Sequence, residues 1–201
     1  MATTEAAAGA AKGGRGARER ILRAAVELFA RDGIHPTGIA KLTDAAHVST
    51  RTFYQHFPSK EALVTAYLER LESDGALLAE AVLGRRDLSA RERILELFAE
   101  LPAGSSPTTV RGCPLHNVAV EAAGTMPEAT ALVRRHKREL AESLIATSAE
   151  AGAREPEILG RQLAVLFEGA RALATSLNDT RPLSDAQALA ETLLDRAAQP
   201  S

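Results

Sequence analysis

Residues 37–60 read TGIAKLTDAAHVSTRTFYQHFPSK. Thr37 is a candidate N-cap for a short helix over roughly Gly38 to Ala46, with Ile39 and Leu42 facing inward. A tight turn follows at Ala46-His47-Val48, and Ser49 can cap another helix that runs to about His56. Phe53 and Phe57, four residues apart, share the buried side of that helix. The expected core of the unit is Ile39, Leu42, Ala45, Val48, Phe53 and Phe57. Thr50, Arg51, Thr52, Tyr54, Gln55 and His56 are left pointing outward or sideways. Two short helices at a sharp corner, the second carrying small polar, basic and aromatic side chains, meet the physical requirement of a helix-turn-helix. In that unit the first helix braces the second, whose N-terminal end enters the DNA major groove. The outward side chains have the chemistry for it, since arginine pairs with guanine, glutamine with adenine, and hydroxyls with phosphate.

Outward from this stretch the chain reads as helix almost throughout. Upstream, Ile21, Leu22, Ala25, Val26, Leu28 and Phe29 recur on one face from Ala17, and the segment stops at Asp32-Gly33, where glycine suits a C-terminal cap. His35-Pro36 forces extended backbone before the next helix. Residues 1–16, rich in alanine and glycine with scattered bases, are expected to be disordered. Downstream, Ser59 caps a long fourth helix expected to reach about Gly84. Further helices are expected over Ser89–Leu101, opened by a Ser-x-x-Glu capping box, and over Leu115–Ala123. Three more follow: from Pro127 to Ala151-Gly152, from Pro156 to about Leu177, and from a Ser184 cap to about Ala198. Pro102 to Thr109 reads as a loop. The expected architecture is all-α, nine or so helices, with a three-helix head over residues 17–60 and a larger helical body over residues 61–201.

The run HVSTRTFYQHFPSKEAL resembles the DNA-binding signature of the TetR/AcrR (tetracycline-repressor-like) family, a motif of the type G-V-S-x-x-T-[LF]-Y-x-[HY]-F-x-[SN]-K. The likeness covers about residues 17–70, whereas the body matches only in helix count and length. The resemblance implies that Thr50, Arg51 and Gln55 face bases. It implies that Thr37, Thr52, Tyr54, His56 and Lys60 hold phosphates, with Lys60 at a helix N-terminus where backbone amides also favour an anion. Ser49, at the head of the reading helix, joins this set. One position departs from the pattern: His47 stands where the turn usually has glycine, and histidine tolerates a left-handed backbone at some cost. Lys12, Arg15 and Arg18 either reach an adjacent minor groove or form a solvated tail.

Composition sets the remaining bounds. Of 201 residues, 45% are hydrophobic, 25% charged and 3% aromatic, a soluble globular profile biased to helix. Residues 1–60 carry nine Lys/Arg against five acids, and the remainder carries 15 against 21. A basic front and an acidic back suit a front that meets a polyanion, although charge alone fits chance variation equally well. No apolar stretch is long enough to span a membrane, and the first residues lack a secretory apolar core, so the expected place is the cytoplasm with no membrane partner. One cysteine, Cys113, excludes an internal disulfide framework.

In the body, a pocket for a small, partly apolar effector of unknown identity is expected between the later helices. Cys113, His116, Asn117 and Glu121 are its candidate polar groups, and Phe98, Leu101, Val120 and Phe167 its walls; the irregular segment is Arg111-Gly112-Cys113-Pro114-Leu115-His116-Asn117. Cys113 and His116, with His136 twenty residues on, are too sparse a set for a metal site, and no metal or cofactor is expected. An inert buried thiol is the simpler reading of Cys113 than a redox sensor. The last two helices carry apolar stripes, Leu159, Leu163, Leu166, Phe167 and Ala170 on one and Leu189, Leu193 and Leu194 on the other. These stripes serve either the monomer's own core or a homodimeric four-helix interface, and the resemblance favours the interface. No nucleophile elbow, phosphate-binding glycine loop or metal-binding helix motif is present, so no enzyme activity is expected. The resemblance therefore implies a ligand-responsive transcriptional regulator, a repressor that binds a palindromic double-stranded operator as a homodimer. The alternatives are a small-molecule-binding helical enzyme and a DNA-binding activator without an effector.

Overall fold

A computed structural model describes residues 5–73, 78–103 and 113–198. These residues form ten α-helices and no strand: α1 (Glu5–Asp32), α2 (Ile39–Ala45), α3 (Thr50–His56), α4 (Lys60–Ser73) and α5 (Leu78–Leu83), then α6 (Ala90–Ala103), α7 (Pro114–Glu121), α8 (Pro127–Glu150), α9 (Pro156–Leu177) and α10 (Arg181–Ala198). The all-α class expected from the sequence is the class observed.

Several boundaries differ from expectation. α1 begins at Glu5, so residues 5–16 are helical rather than disordered; the alanines at 6–8, 10 and 11 supply the propensity that outweighs the glycines. The span expected of the long fourth helix is covered by α4 and α5, on either side of residues 74–77, which lie outside the described ones. α10 begins at Arg181, three residues before Ser184; Asp179 supplies the cap, its carboxylate accepting the Arg181 N–H at 2.9 Å. α6 runs on to Ala103, and the rest of the expected Pro102–Thr109 loop, with Arg111 and Gly112, lies outside the described residues. The capping box holds: Glu92 accepts the Ser89 N–H at 2.8 Å while Ser89 Oγ accepts the Glu92 N–H at 3.2 Å.

The described residues divide into two compact units, the first up to Arg70 with Val118–Thr130, the second Leu71–Asn117 with Ala131 onward. The division thus falls ten residues beyond Lys60, and the first unit recruits a segment from far along the chain. In that unit Ile21, Leu22, Ala25 and Phe29 of α1 pack with Leu42, Phe53, Phe57, Leu63 and Tyr67, all buried. Phe29 meets Tyr67 edge-on at 5.3 Å, and Phe53 lies 6.0 Å from Phe57. Arg20 Nε donates to the Ala46 carbonyl at 3.0 Å, fastening α1 to the end of α2. Ala46, 2% exposed, fills the core place expected of Ala45, because it continues the helical conformation as the C-cap and lies four residues after buried Leu42.

The corner between α2 and α3 is a Schellman turn. His47 adopts φ 50°, its N–H donates to the Asp44 carbonyl at 3.0 Å, and the Val48 N–H donates to the Thr43 carbonyl at 3.0 Å. Histidine therefore takes the left-handed place that glycine usually fills. Ser49 then caps α3, its Oγ accepting the Thr52 N–H at 3.0 Å.

The second unit is held by one continuous core, in which Ile94, Leu97 and Phe98 of α6 meet Leu144, Leu159, Leu163, Phe167, Ala174, Leu183, Ala190 and Leu194. Gly160 permits a close approach of α8 and α9, since a Cβ there would lie 2.5 Å from Ile145 Cα. Leu159, Leu163, Phe167, Ala170 and Leu194, offered by sequence as dimer stripe residues, are spent on this core. A different α9 face is apolar and open: Ile158, Val165, Leu173 and Leu177 are 43%, 74%, 51% and 59% exposed, and Leu189 of α10 is 47% exposed.

Candidate functional site

α3 owes its outward display to two buried aromatics. Phe53 and Phe57 anchor its inner side, which turns Thr50, Arg51, Tyr54 and Gln55 to solvent. Tyr54 is half exposed and rests edge-on against Phe53 at 5.4 Å, so its hydroxyl stands on a fixed ring. Thr52 and His56 are half-buried at the sides, and the Thr52 hydroxyl lies 2.8 Å from Ser49 Oγ. These side chains share one short helix with base-sized and phosphate-sized reach.

Two expected contacts, Thr37 and Lys60, and the open reading of Arg18 are placed otherwise. Thr37 is wholly buried and its hydroxyl donates to the Gly33 carbonyl at 2.7 Å; Gly38, without a side-chain bond, is the N-cap of α2. Thr37 therefore fixes the α1–α2 corner and offers nothing to a phosphate. Lys60 also faces that corner, its ammonium donating to the Ile34 carbonyl and, at 3.4 Å, to that of His35. Burial holds the Lys60 ammonium below its ordinary pKa, and the carboxylate of Glu121 opposes that shift. Arg18 sits on α1 with its guanidinium 5.2 Å above the Phe57 ring, a packing role rather than that of a free arm. The side chains of Lys12 and Arg15 lie outside the described residues.

The second unit contains a cavity of about 50 Å³ lined by Cys113, Leu115, His136, Lys137, Leu140 and Phe167, with Glu80, Glu139, Ser143, Glu168 and Arg171 at its walls. Of the expected ligand residues, Cys113 and Phe167 line it. Phe98 stands behind, 5.8 Å edge-on from Phe167, and Leu101 is buried in the core. His116 and Val120 are exposed and Asn117 is half-buried, none of them on the cavity wall. Glu121 belongs to the first unit, where it accepts the His35 N–H at 2.7 Å. α7 is only eight residues long, so its polar groups fan out rather than converge.

The cavity's polar wall comes chiefly from α8, a contribution that the sequence pattern did not signal. Lys137 pairs with Glu168 at 2.6 Å and lies 3.5 Å from Cys113 Sγ. Arg171 stacks over Phe167 at 5.3 Å. Nothing local in the run RRHKREL separates its inward His136 and Lys137 from its outward Arg134 and Arg138, except the helical period itself.

Residues 21–67 match the sequence profile described as bacterial regulatory proteins of the tetR family. The HTH-type transcriptional regulator UidR of Escherichia coli strain K12 is 41% identical over 51 residues, 25% of this chain and 26% of that protein. The HTH-type transcriptional activator FasR of Mycolicibacterium smegmatis is 43% identical over 53 residues, 26% of this chain and 24% of that protein. Both matches therefore span about a quarter of the relative's length. A crystal structure of a tetR-type transcriptional regulator from Streptomyces avermitilis is similar throughout: 31% identity, TM-score 0.75, 92% of this chain and 99% of that one. With likeness at that level along the whole of a solved relative, this chain belongs to the TetR family.

Proposed function

We propose that the protein is a ligand-responsive transcriptional regulator that binds a palindromic DNA operator as a homodimer and is released by a small, partly apolar effector. The observation that carries this reading is the outward row of Thr50, Arg51, Tyr54 and Gln55 on a helix locked by Phe53 and Phe57. One α3 reads only a few base pairs, so specificity calls for two half-sites about one helical turn apart, or multiples of that. The open apolar face of α9, Ile158, Val165, Leu173 and Leu177, is suited to a two-fold contact with a second copy. The cavity lined by Phe167, Leu140 and Leu115 is the natural seat of an effector. An effector that favours one separation of the reading heads shifts the dimer by its differential affinity for the two states.

The relatives are named transcriptional regulators, which favours a regulator over an enzyme. Repression is the reading we adopt. FasR is named an activator, so activation is the second reading, and the position of the operator relative to the promoter decides between them.

The test is binding of the purified protein to labelled DNA from upstream of its own gene, titrated against salt. Binding should fall steeply as salt rises, and Arg51→Ala and Tyr54→Ala should each weaken it by about five-fold or more. Absence of salt-dependent binding, or indifference to both substitutions, would remove the DNA reading.

A further inference from the structure

We propose that Glu80, His136 and Glu139 form a binding site for a divalent transition-metal cation of the zinc class at the wall of the second unit's cavity. One ligand atom from each of the three residues lies within 4.8 Å of the other two. His136 and Glu139 stand one turn apart on α8 and so project to the same side, while Glu80 comes from α5. A rigid pair from one helix and a third ligand from another element is an arrangement that can close around an ion without remodelling the backbone.

The state of His136 points independently to a ligand. The residue is 9% exposed and lines the cavity, and its Nδ1 is buried without a hydrogen-bond partner. Glu72 Oε1 at 3.3 Å and Glu139 Oε2 at 3.6 Å lie at ion-pair distance from that nitrogen, and neither makes a hydrogen bond to it. Buried ring nitrogens are ordinarily satisfied, and one held open beside carboxylates is set to coordinate.

Charge tells the same way. Glu72, Glu80 and Glu139 surround the imidazole, and among the described residues the cation on them is Arg135, 2.7 Å from Glu72 and 3.6 Å from Glu139. Lys137, next along α8, is engaged with Glu168 at 2.6 Å. The carboxylates beside the imidazole form an acidic cluster that suits a doubly charged ion. The donor set also selects: imidazole with carboxylates suits zinc and its first-row neighbours, whereas calcium and magnesium favour oxygen alone. Tetrahedral coordination with bonds near 2.1 Å puts ligand atoms about 3.4 Å apart, so from separations within 4.8 Å the ligands draw in by at most about 1.4 Å. Glu80 is exposed and free to swing, and a water can complete the fourth position.

This inference stands apart from the DNA reading and is tested without DNA. The untagged full chain, stripped with a chelator, is titrated with Zn²⁺ by calorimetry, with bound zinc counted after dialysis. The expected result is saturable binding of one zinc per chain, weakened about ten-fold or more by His136→Gln, Glu139→Gln and Glu80→Gln. His116→Gln, which changes an exposed histidine away from the cavity, should leave the affinity unchanged. Glu80→Gln alters a solvent-facing side chain and keeps the test decisive even where His136→Gln fails to fold. No saturable binding, full affinity in Glu80→Gln, or loss of affinity in His116→Gln would each overturn the site.

Discussion

His35 and Glu121, 86 positions apart in the chain, are joined by two hydrogen bonds: the His35 N–H donates to Glu121 Oε2 at 2.7 Å, and His35 Nε2–H donates to the Glu121 carbonyl at 2.8 Å. With Lys60 on the neighbouring carbonyls of Ile34 and His35, this contact ties the end of α7 to the corner that sets the angle between α1 and α2. Replacing Glu121 by alanine leaves the His35 N–H without its acceptor and takes the opposing charge away from Lys60. Urea denaturation should show a loss of about 1–2 kcal/mol. Glu121→Gln, which can still accept the N–H, should lose less, and equal losses would mean that the charge alone matters.

His47 at φ 50° carries a Cβ in a conformation that glycine takes freely. His47→Gly should raise stability by roughly 0.5–1 kcal/mol, and His47→Val, with its branched side chain, should lower it. Denaturation midpoints read both. A glycine variant no more stable than the parent would show that the imidazole makes contacts worth the strain.

Val165 and Leu173 lie on the open face of α9, 74% and 51% exposed. If that face joins two copies, Val165→Glu and Leu173→Glu place charges in the contact while leaving each chain's core untouched. Light scattering after gel filtration should then find a dimer for the parent and a monomer for both variants. A dimer that survives both substitutions places the interface elsewhere.

Arg93 is 4% exposed, donates to the Leu83 carbonyl at 2.8 Å, and is paired with Glu150. That hydrogen bond holds the Glu150 carboxyl below its ordinary 4.5. A carboxyl depressed in the folded state contributes stability that is present above its unfolded pKa and disappears as pH falls through the folded one. Glu150→Gln should therefore be less stable than the parent near neutral pH. The gap should close as pH drops below 4.5, which thermal melts across a pH series would follow.

The head was legible because its determinants are local. Ser49 and Ser59 caps, the four-residue step from Phe53 to Phe57 and the corner at His47 are all fixed within a few residues. Thr37 escaped a sequence reading because a bond back to the Gly33 carbonyl, four residues earlier, competes with a cap for the same hydroxyl, and Lys60 because its partner Ile34, 26 residues away, is set by the tertiary course of the chain. The α9 faces were confused for a related reason. That helix is apolar on two sides, and a period of 3.6 residues identifies stripes without saying which one the monomer covers. The cavity wall was hidden more deeply. His136, Lys137 and Glu139 look like ordinary solvated charges until Glu72, Glu80 and Glu168 arrive from other helices.

A cavity of about 50 Å³ holds a few waters, far short of the 300–1,000 Å³ that an organic ligand of ordinary size occupies. An effector of that size, if it seats there, would need the helices around Phe167 and Leu140 to part. Its observed association rate would then level off at high concentration, at the speed of opening rather than of collision. Its apparent affinity would be discounted by the rarity of the opened form, so substitutions that loosen the cavity wall would tighten binding without touching the ligand.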